Sequence, residues 1–504
     1  MGDYFPRCAP AQAGVDAARL LELCAELQKP RYGLHALLLL RGGKVFYESY
    51  AAPYQKGEKH SLFSVSKSFT AVAILFAVQE GILSLEDRVT GFFPEKLPSP
   101  PCPNMAAMTI RHLLTMTPGL DAAPHDFKYP HLDDVINDFP YSYSNFTYDG
   151  RPDWVGDFLH RYVEHPPGQR FLYCSSCTYM LSAILKKATG QGLLEFLGPR
   201  LLEPLGMHEA AWQKCPSGIE VGGWGLSLCA ESLAKFGQFL LQEGRWEGRQ
   251  LLGAEYIREM SRRHILIHTP GRKVPEQFGY QVWVEGEQDI YSGIGAFGQA
   301  YVVFPRQQAV AVLLGGSLQY MRALQILQKK LPRAMEAPGS LDAAPQQADL
   351  QKLAEQARIL PVEGISSLQA EPARRYSGIE YALAPNYYGF TGIRFCFGAR
   401  DSVEFFMGRR SGWLPVGQGE FCRGVMPMAE TEYTDVHNQL VFSKAACSGA
   451  WQEGKYLLRI AYTEQSYISD FSVEFLPHGI RIKTSRNVGF VASASTILEG
   501  YRKE

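Results

Sequence analysis

Ser64-Val65-Ser66-Lys67 sets a hydroxyl and an amine three residues apart at the head of an apolar run. From Ser68 to Val78 the run carries no charge, and Phe69, Val72, Ile74, Leu75, Phe76 and Val78 make it hydrophobic nearly all round. A helix with that pattern is buried inside a domain, and residues three apart share one of its faces. Gly81 supplies a stop. The spacing therefore predicts contact between Ser64 and Lys67. A lysine on the first turn of such a helix is poorly solvated, which disfavours its ammonium form. An amine in that state beside a serine hydroxyl makes an activated nucleophile. The helix N-terminus adds partial positive charge where an oxyanion would form.

Two further segments hold residues that could join this chemistry. In Pro166-Pro-Gly-Gln-Arg-Phe-Leu-Tyr173-Cys174-Ser175, a Pro-Gly turn and a short extended piece present Tyr173 just ahead of a helical pattern that begins near Ser176. Tyr291-Ser-Gly-Ile-Gly-Ala-Phe-Gly-Gln299 leads directly into a strand pattern from Ala300 to Phe304. With Ser64-x-x-Lys67, the order of these segments resembles that of serine β-lactamases and penicillin-binding proteins. The resemblance is closest to class C β-lactamases and their esterase, amidase and D-aminopeptidase relatives, the β-lactamase-related serine hydrolases. Thr109-Ile-Arg-His-Leu-Leu-Thr-Met-Thr-Pro-Gly-Leu120 and Gly222-Gly-Trp-Gly-Leu-Ser-Leu-Cys-Ala-Glu-Ser-Leu-Ala-Lys-Phe-Gly237 are similar to that family too.

The resemblance implies that Ser64 is the acylated nucleophile, Lys67 its amine partner and Tyr173 the proton shuttle to the leaving group. The backbone N–H groups of Ser64 and Ile294 would form the oxyanion hole. Ser175, Tyr291, Ser292, Gly293 and Gly295 fall on the substrate side, and no metal or cofactor is implied. A tyrosine beside an ammonium is expected to have its pKa lowered, so that phenolate and amine share base work. Two positions depart from the family pattern. Ser175 stands where class C enzymes typically carry Asn, and Tyr291 or Ser292 stands where the family places Lys or His. In β-lactamases and DD-peptidases that cation helps bind the substrate carboxylate. Its loss favours neutral esters, amides or short peptides. A β-lactamase or D-amino-acid peptidase is one rival reading. A catalytically silent ligand-binding relative is another, although binding alone would not require Ser64, Lys67 and Tyr173 together.

Other motifs carry less. Gly293-x-Gly295-x-x-Gly298 matches a dinucleotide-binding pattern, but the segment after it is a strand ending in proline, where that pattern needs a helix. His264 and His268 lack the glutamate of a zinc protease. No Gly-x-Ser-x-Gly elbow occurs, so an α/β-hydrolase triad has no nucleophile. The 10 cysteines are scattered. Cys174-Ser-Ser-Cys177 is the only close pair, with no second pair at zinc spacing, and is read as reduced core thiols.

The elements that must position these residues form two domains, as 504 residues exceed one ordinary core. The fold class is α/β (α+β): an antiparallel sheet with a helical subdomain over residues 1–335, a linker over 336–365, and a small all-β barrel or lipocalin-like domain over 366–504. His35 to Arg41 and Lys44 to Tyr50 flank Gly42-Gly43 as a hairpin. Helical patterns cover Asp16 to Leu27, Thr109 to Met116, Trp154 to Glu164, Ser176 to Thr189, Gly192 to Leu202, Ser227 to Gln242 and Leu318 to Leu331. Strand patterns cover Tyr280 to Val284 and Ala309 to Leu314. Within the linker a short helix is expected near Ala348 to Arg358. Beyond it, strand alternation marks Ile393 to Phe397, Ser402 to Met407, Tyr456 to Tyr462, Phe471 to Phe475 and Ile480 to Lys483. The aromatic, polar stretch from Pro118 to Asp153, with Phe139 to Tyr148 at its centre, is longer than a simple connection needs; such loops often cover sites.

A formal net charge of -1 offers no field for nucleic acid or anionic membrane. No apolar run is long enough for a membrane span. The N-terminus, Met1-Gly-Asp-Tyr-Phe-Pro, lacks signal-peptide regions, so a cytoplasmic location is expected unless a leader was removed. The implied partner is a small-molecule or short-peptide substrate; oligomeric state is not legible.

Overall fold

The computed structural model describes the chain except residues 1–3, 121–141, 144–152, 268–275, 286–288, 337–343, 387, 430–439, 490–495 and 504. The stretch from Phe139 to Tyr148 therefore lies largely outside the described residues, as does His268. Two compact units emerge. One comprises Met1–Ser49 and Lys59–Gln356, the other Tyr50–Glu58 and Ala357–Glu504.

The first unit is built on eight strands: β1 (Leu34–Arg41), β2 (Lys44–Tyr50), β3 (Ile265–Ile267), β4 (Glu276–Phe278), β5 (Trp283–Glu285), β6 (Ile290–Gly295), β7 (Gln299–Phe304) and β8 (Ala309–Gly315). Their spatial order is β3-β4-β5-β6-β7-β8-β1-β2. The N-terminal hairpin thus docks on the last strand, with Leu37 opposite Leu313 and Leu39 opposite Ala311. Leu37-Leu38-Leu39-Leu40 is apolar without a break because helices cover both faces of the sheet, leaving no polar side.

On one face lie α1 (Ala17–Leu27), α5 (Tyr320–Glu336) and α6 (Ala344–Glu355). Leu20, Leu23, Leu327, Leu331 and Leu350 join Leu37, Val302 and Ala311 in one core. Asp16 caps α1 by accepting the N–H groups of Ala18 and Arg19 at 2.9 and 3.1 Å. The opposite face packs α2 (Ser66–Gln79) and α4 (Ala230–Leu241). Phe69 and Phe236 stack at 3.7 Å, and Phe236 meets Tyr301 edge-on. A Cβ at Gly237 would sit 2.6 Å from Val310, so only glycine lets α4 lie this close to the sheet. Every residue of α2 from Ser66 to Ala77 is buried, as its all-round hydrophobicity predicts. Gly81, at φ +71°, follows its end. The remaining long helix, α3 (Ser175–Thr189), belongs to the helical part of this unit.

Several expectations are corrected. The helix expected over Trp154 to Glu164 stops at Leu159. In place of a strand from Tyr280, Gln281 takes φ +59° and donates from Nε2 to the carbonyls of Leu113 and Leu114, both at 3.0 Å; these long-range bonds override local alternation. The helix expected from Ser227 begins only at Ala230 because Leu226–Leu228 pairs as a strand with His60–Ser61. The helix expected over Leu318 to Leu331 begins at Tyr320 and continues through Pro332 to Glu336. The helix expected inside the linker forms as α6 and buries Leu350 in the first unit's core.

The second unit is a barrel of β9 (Glu380–Leu383), β10 (Gly392–Cys396), β11 (Asp401–Met407), β12 (Arg410–Gly417), β13 (Cys422–Ala429), β14 (Leu440–Gln452), β15 (Lys455–Tyr462), β16 (Ile468–Leu476), β17 (Gly479–Arg486) and β18 (Thr496–Arg502). Parallel pairing of Val416 and Gly417 with Cys447 and Ser448 joins β12 to β14 and closes the ring, while β13 hangs on β14. Tyr50–Glu58 joins this unit through Arg423, which donates to the Pro53 carbonyl at 2.6 Å and pairs with Glu58. The barrel buries Asp401, which accepts from Ser367 at 2.6 Å and Tyr456 at 2.8 Å. A buried carboxylate satisfied by two hydroxyls is tolerable in an aromatic core.

Candidate active site

The strand pair of His60–Ser61 with Ser227–Leu228 aims the chain at a short 3-10 turn, Phe63–Val65, which carries Ser64 and runs into α2. Phe63 adopts φ +47°, a conformation costing a non-glycine residue about 1–3 kcal/mol. Ser66 holds the turn: its hydroxyl donates to the Phe63 carbonyl at 2.6 Å and accepts the Leu226 N–H at 3.1 Å. We expect Ser66→Ala to destabilise the protein by about 2 kcal/mol, because it removes two buried hydrogen bonds. Chemical denaturation measures this; an unchanged midpoint would exclude the hydroxyl from holding the turn.

One turn into the helix, Lys67 is 2 % exposed. Its Nζ lies 2.9 Å from Ser64 Oγ and donates to the Gly223 carbonyl at 2.7 Å. Burial lowers its pKa to about 7, and the neighbouring sulfurs, Cys174 foremost, only partly oppose this. Near neutral pH the amine is thus substantially unprotonated, as the sequence predicts.

Tyr173 arrives from a two-residue strand immediately before α3. The Lys67 Nζ stands 5.0 Å over its ring, and its phenol hydrogen-bonds with Ser64. The three side chains therefore converge, although Tyr173 is more than 100 residues distant in sequence. The expected lowering of the phenol pKa is corrected. Burial pushes it up to about 12, and the hydrogen bond with Ser64 only partly opposes this. With Lys67 about half unprotonated near neutral pH, its ammonium field on the phenol is weakened. Trp283 stacks on Tyr173 at 5.8 Å, and Phe171 and Phe278 complete an aromatic wall.

The remaining predicted residues divide. Ser175 is partly exposed at the head of α3, and Gly223 packs on it so tightly that a Cβ there would lie 3.0 Å from the Ser175 carbonyl. A Cβ on Gly295 would overlap the carbonyl of Leu62, two residues before the nucleophile, and one on Gly293 would strike Tyr301 and Ser68. Both glycines thus permit β6 to approach α2 closely. Ile294 pairs with Ala300, and its side chain packs on the α1/α5 core. Tyr291 and Ser292 are buried, 6 % and 1 % exposed. The Tyr291 phenol feels Tyr301 and Glu243, and burial raises its pKa well above the usual value.

Sequence reasoning missed the Gly223 carbonyl as a partner of Lys67. It is a main-chain atom, and no residue type signals it; the Gly222-Gly223 pair was the only clue. Trp283 was missed because its segment read as an ordinary strand. Among the described residues, no three His, Cys, Asp or Glu side chains gather as a metal site. His264 stacks on Tyr280 at 4.1 Å, and its Nε2 contacts the Glu259 carbonyl.

Comparison with known proteins fits this geometry. The Beta-lactamase family model matches residues 28–322, more than half of the chain. The chain belongs to the beta-lactamase family. It is 27% identical over 331 residues to the 6-aminohexanoate-dimer hydrolase of Paenarthrobacter ureafaciens, covering 62% of this chain and 83% of that enzyme. It is 29% identical over 198 residues to Protein flp of Staphylococcus aureus strain MW2, covering 38% of this chain and 36% of that protein. Among solved structures, EstCE1, a hydrolase with promiscuous acyltransferase activity, superposes with a TM-score of 0.50 at 19% identity, covering 65% of this chain and 100% of that one. Within this family the chain is a serine hydrolase of ester or amide bonds. No helix among the described residues is long and apolar enough to cross a membrane.

Proposed function

We propose that this hydrolase works through an acyl-Ser64 intermediate, with Lys67 as general base and Tyr173 as the proton donor to the leaving group. The observation that carries this reading is the buried amine 2.9 Å from Ser64 Oγ. The free amine takes the Ser64 proton as the hydroxyl attacks the carbonyl carbon. Tyr173, still protonated, passes its proton to the departing oxygen or nitrogen and is reprotonated from Lys67. Water then attacks the acyl-enzyme by the reverse route. The N–H groups of Ser64 and Ile294 receive the developing oxyanion.

The substrate is a neutral ester, amide or short peptide. No lysine or histidine stands on β6 between Ile290 and Gly295 to hold a carboxylate, and the wall of Trp283, Phe171 and Phe278 favours an apolar group. Similarity to a hydrolase named for the 6-aminohexanoate dimer supports an amide as one type of bond cleaved. A cytoplasmic setting is supported by cysteines that all stand free.

A fluorophosphonate probe tests the nucleophile: the wild type should label at Ser64 and Ser64→Ala should not. Failure to label across neutral pH would remove Ser64 from its role. A panel of p-nitrophenyl esters, D-alanyl amides and nitrocefin tests substrate class, and rapid nitrocefin cleavage would overturn the neutral-substrate reading.

A further inference from the structure

Cys174 and Cys177 are used by no step above, yet they adjoin the site. Cys174 is the N-cap residue of α3, a helix of 15 residues, and Cys177 lies within its first turn. Residues at this spacing share a face. Both are 0% exposed, and their thiols hydrogen-bond each other. Cys174 Sγ also lies 2.9 Å from Ser176 Oγ. Arg161 and Lys67 bring positive charge to Cys177, and Arg161 does so for Cys174. A Cys-X-X-Cys pair at a helix N-terminus near cations is a setting that favours the thiolate form. Cys174 is, moreover, bonded directly to Tyr173.

We propose that Cys174 and Cys177 are a modification site, a dithiol that a hydroperoxide closes to a disulfide, and that closure removes an anion from beside Lys67. Burial pushes the Cys174 thiol up, but hydrogen bonds from Cys177 and Ser176 and the Arg161 charge outweigh it, leaving the pKa below that of an ordinary cysteine. Cys177 is driven well above its usual value by burial and by Cys174. One sulfur is thus the nucleophile and the other the resolving thiol. The Cys174 thiolate takes one peroxide oxygen, forming a sulfenic acid and releasing hydroxide. The Cys177 sulfur then displaces that oxygen, forming the S–S bond. In total two thiols are oxidised, one peroxide is reduced, and two waters leave. With no sulfur surface exposed, the oxidant must be small and neutral, which selects hydrogen peroxide over glutathione disulfide.

The consequence falls on Lys67. The groups facing its amine are Ser64, the Gly223 carbonyl, the Tyr173 ring and the two thiols. Of these, the Cys174 thiolate supplies the negative charge that favours the ammonium. A disulfide carries none, so the amine should lose its proton at lower pH.

The test treats the reduced full chain with hydrogen peroxide, alkylates the remaining thiols and maps the peptides by mass. The expected product is a linked Cys174–Cys177 peptide, lighter by two hydrogens and restored by dithiothreitol. In Cys177→Ser a sulfenic acid at Cys174 should be trapped by dimedone instead. Cys422 and Cys447 face each other across β13 and β14; a link formed there alone, or no link, would overturn the site. For the coupling, which rests on Lys67 as base, the acid limb of the pH–rate profile should move to lower pH after oxidation. A link without that displacement would overturn the coupling. If the reduced protein hydrolyses nothing, the hydrolase mechanism fails while the mass measurement still decides the dithiol.

Discussion

Lys67→Met is expected to lower kcat/KM on a p-nitrophenyl ester by about 10³, within the range of general-base groups, while raising the melting temperature by a few degrees. Activity falls because no other amine contacts Ser64 Oγ at hydrogen-bond distance among the described residues. Stability rises because the folded state pays to keep the amine out of water. Its pKa drops from 10.5 to about 7 on folding, so between those values the unfolded chain binds more proton and folded stability increases with pH. At neutral pH this penalty is on the order of 4 kcal/mol. Methionine has similar length and no charge, so it escapes that cost. It forfeits the bond to the Gly223 carbonyl, a loss of about 1–3 kcal/mol that the relief exceeds. The same pKa sets the wild-type profile. The competent form is the free amine, so kcat/KM should rise with pH through about 7 and plateau above it. A flat profile through neutrality, or a Lys67→Met variant of near-normal rate, would remove Lys67 as base.

Tyr173→Phe should lower turnover by an amount that depends on the leaving group. With p-nitrophenolate, a stable anion that needs no proton to depart, the loss should be about 10², arising from deacylation and from relay to Lys67. With an anilide or alkyl amide the nitrogen must be protonated to leave, and the loss should approach 10⁴, the upper end for acid–base groups. The raised phenol pKa, about 12, makes Tyr173 a donor across the working range rather than a phenolate base. Equal losses on both substrates in steady-state assays would mean that Tyr173 orients the site without delivering the proton. Stacking on Trp283 should survive the substitution, so structural collapse is not the expected cause of the loss.

Much of this was legible before any coordinates. Where local pattern and burial agree, elements form as read: α1, the hairpin of β1 and β2, the all-buried α2, and the strands β7 and β8. Misreadings fall where distant atoms intervene. Gln281 leaves the strand pattern to satisfy carbonyls of another segment. Leu226–Leu228 yields to pairing with His60–Ser61. In the barrel, β9, β12, β13, β14 and β18 escaped notice because glycine, proline and charged residues interrupt their alternation, as in Arg410–Gly417. Ring closure compensates through backbone pairing that side-chain types do not report.

By itself the sequence determined that Ser64 and Lys67 meet and that the amine is poorly hydrated, because both follow from helical spacing within an uncharged run. The tertiary structure alone decided three matters. It set the direction in which the Tyr173 pKa moves, since burial depends on what surrounds the phenol. It assigned the second partner of Lys67 to a main-chain carbonyl at Gly223, which any residue could supply and only packing against Ser175 brings near. It also brought the Cys174 charge to the amine and the Arg161 charge to Cys174, and the strength of such fields depends on distances that no spacing along the chain encodes.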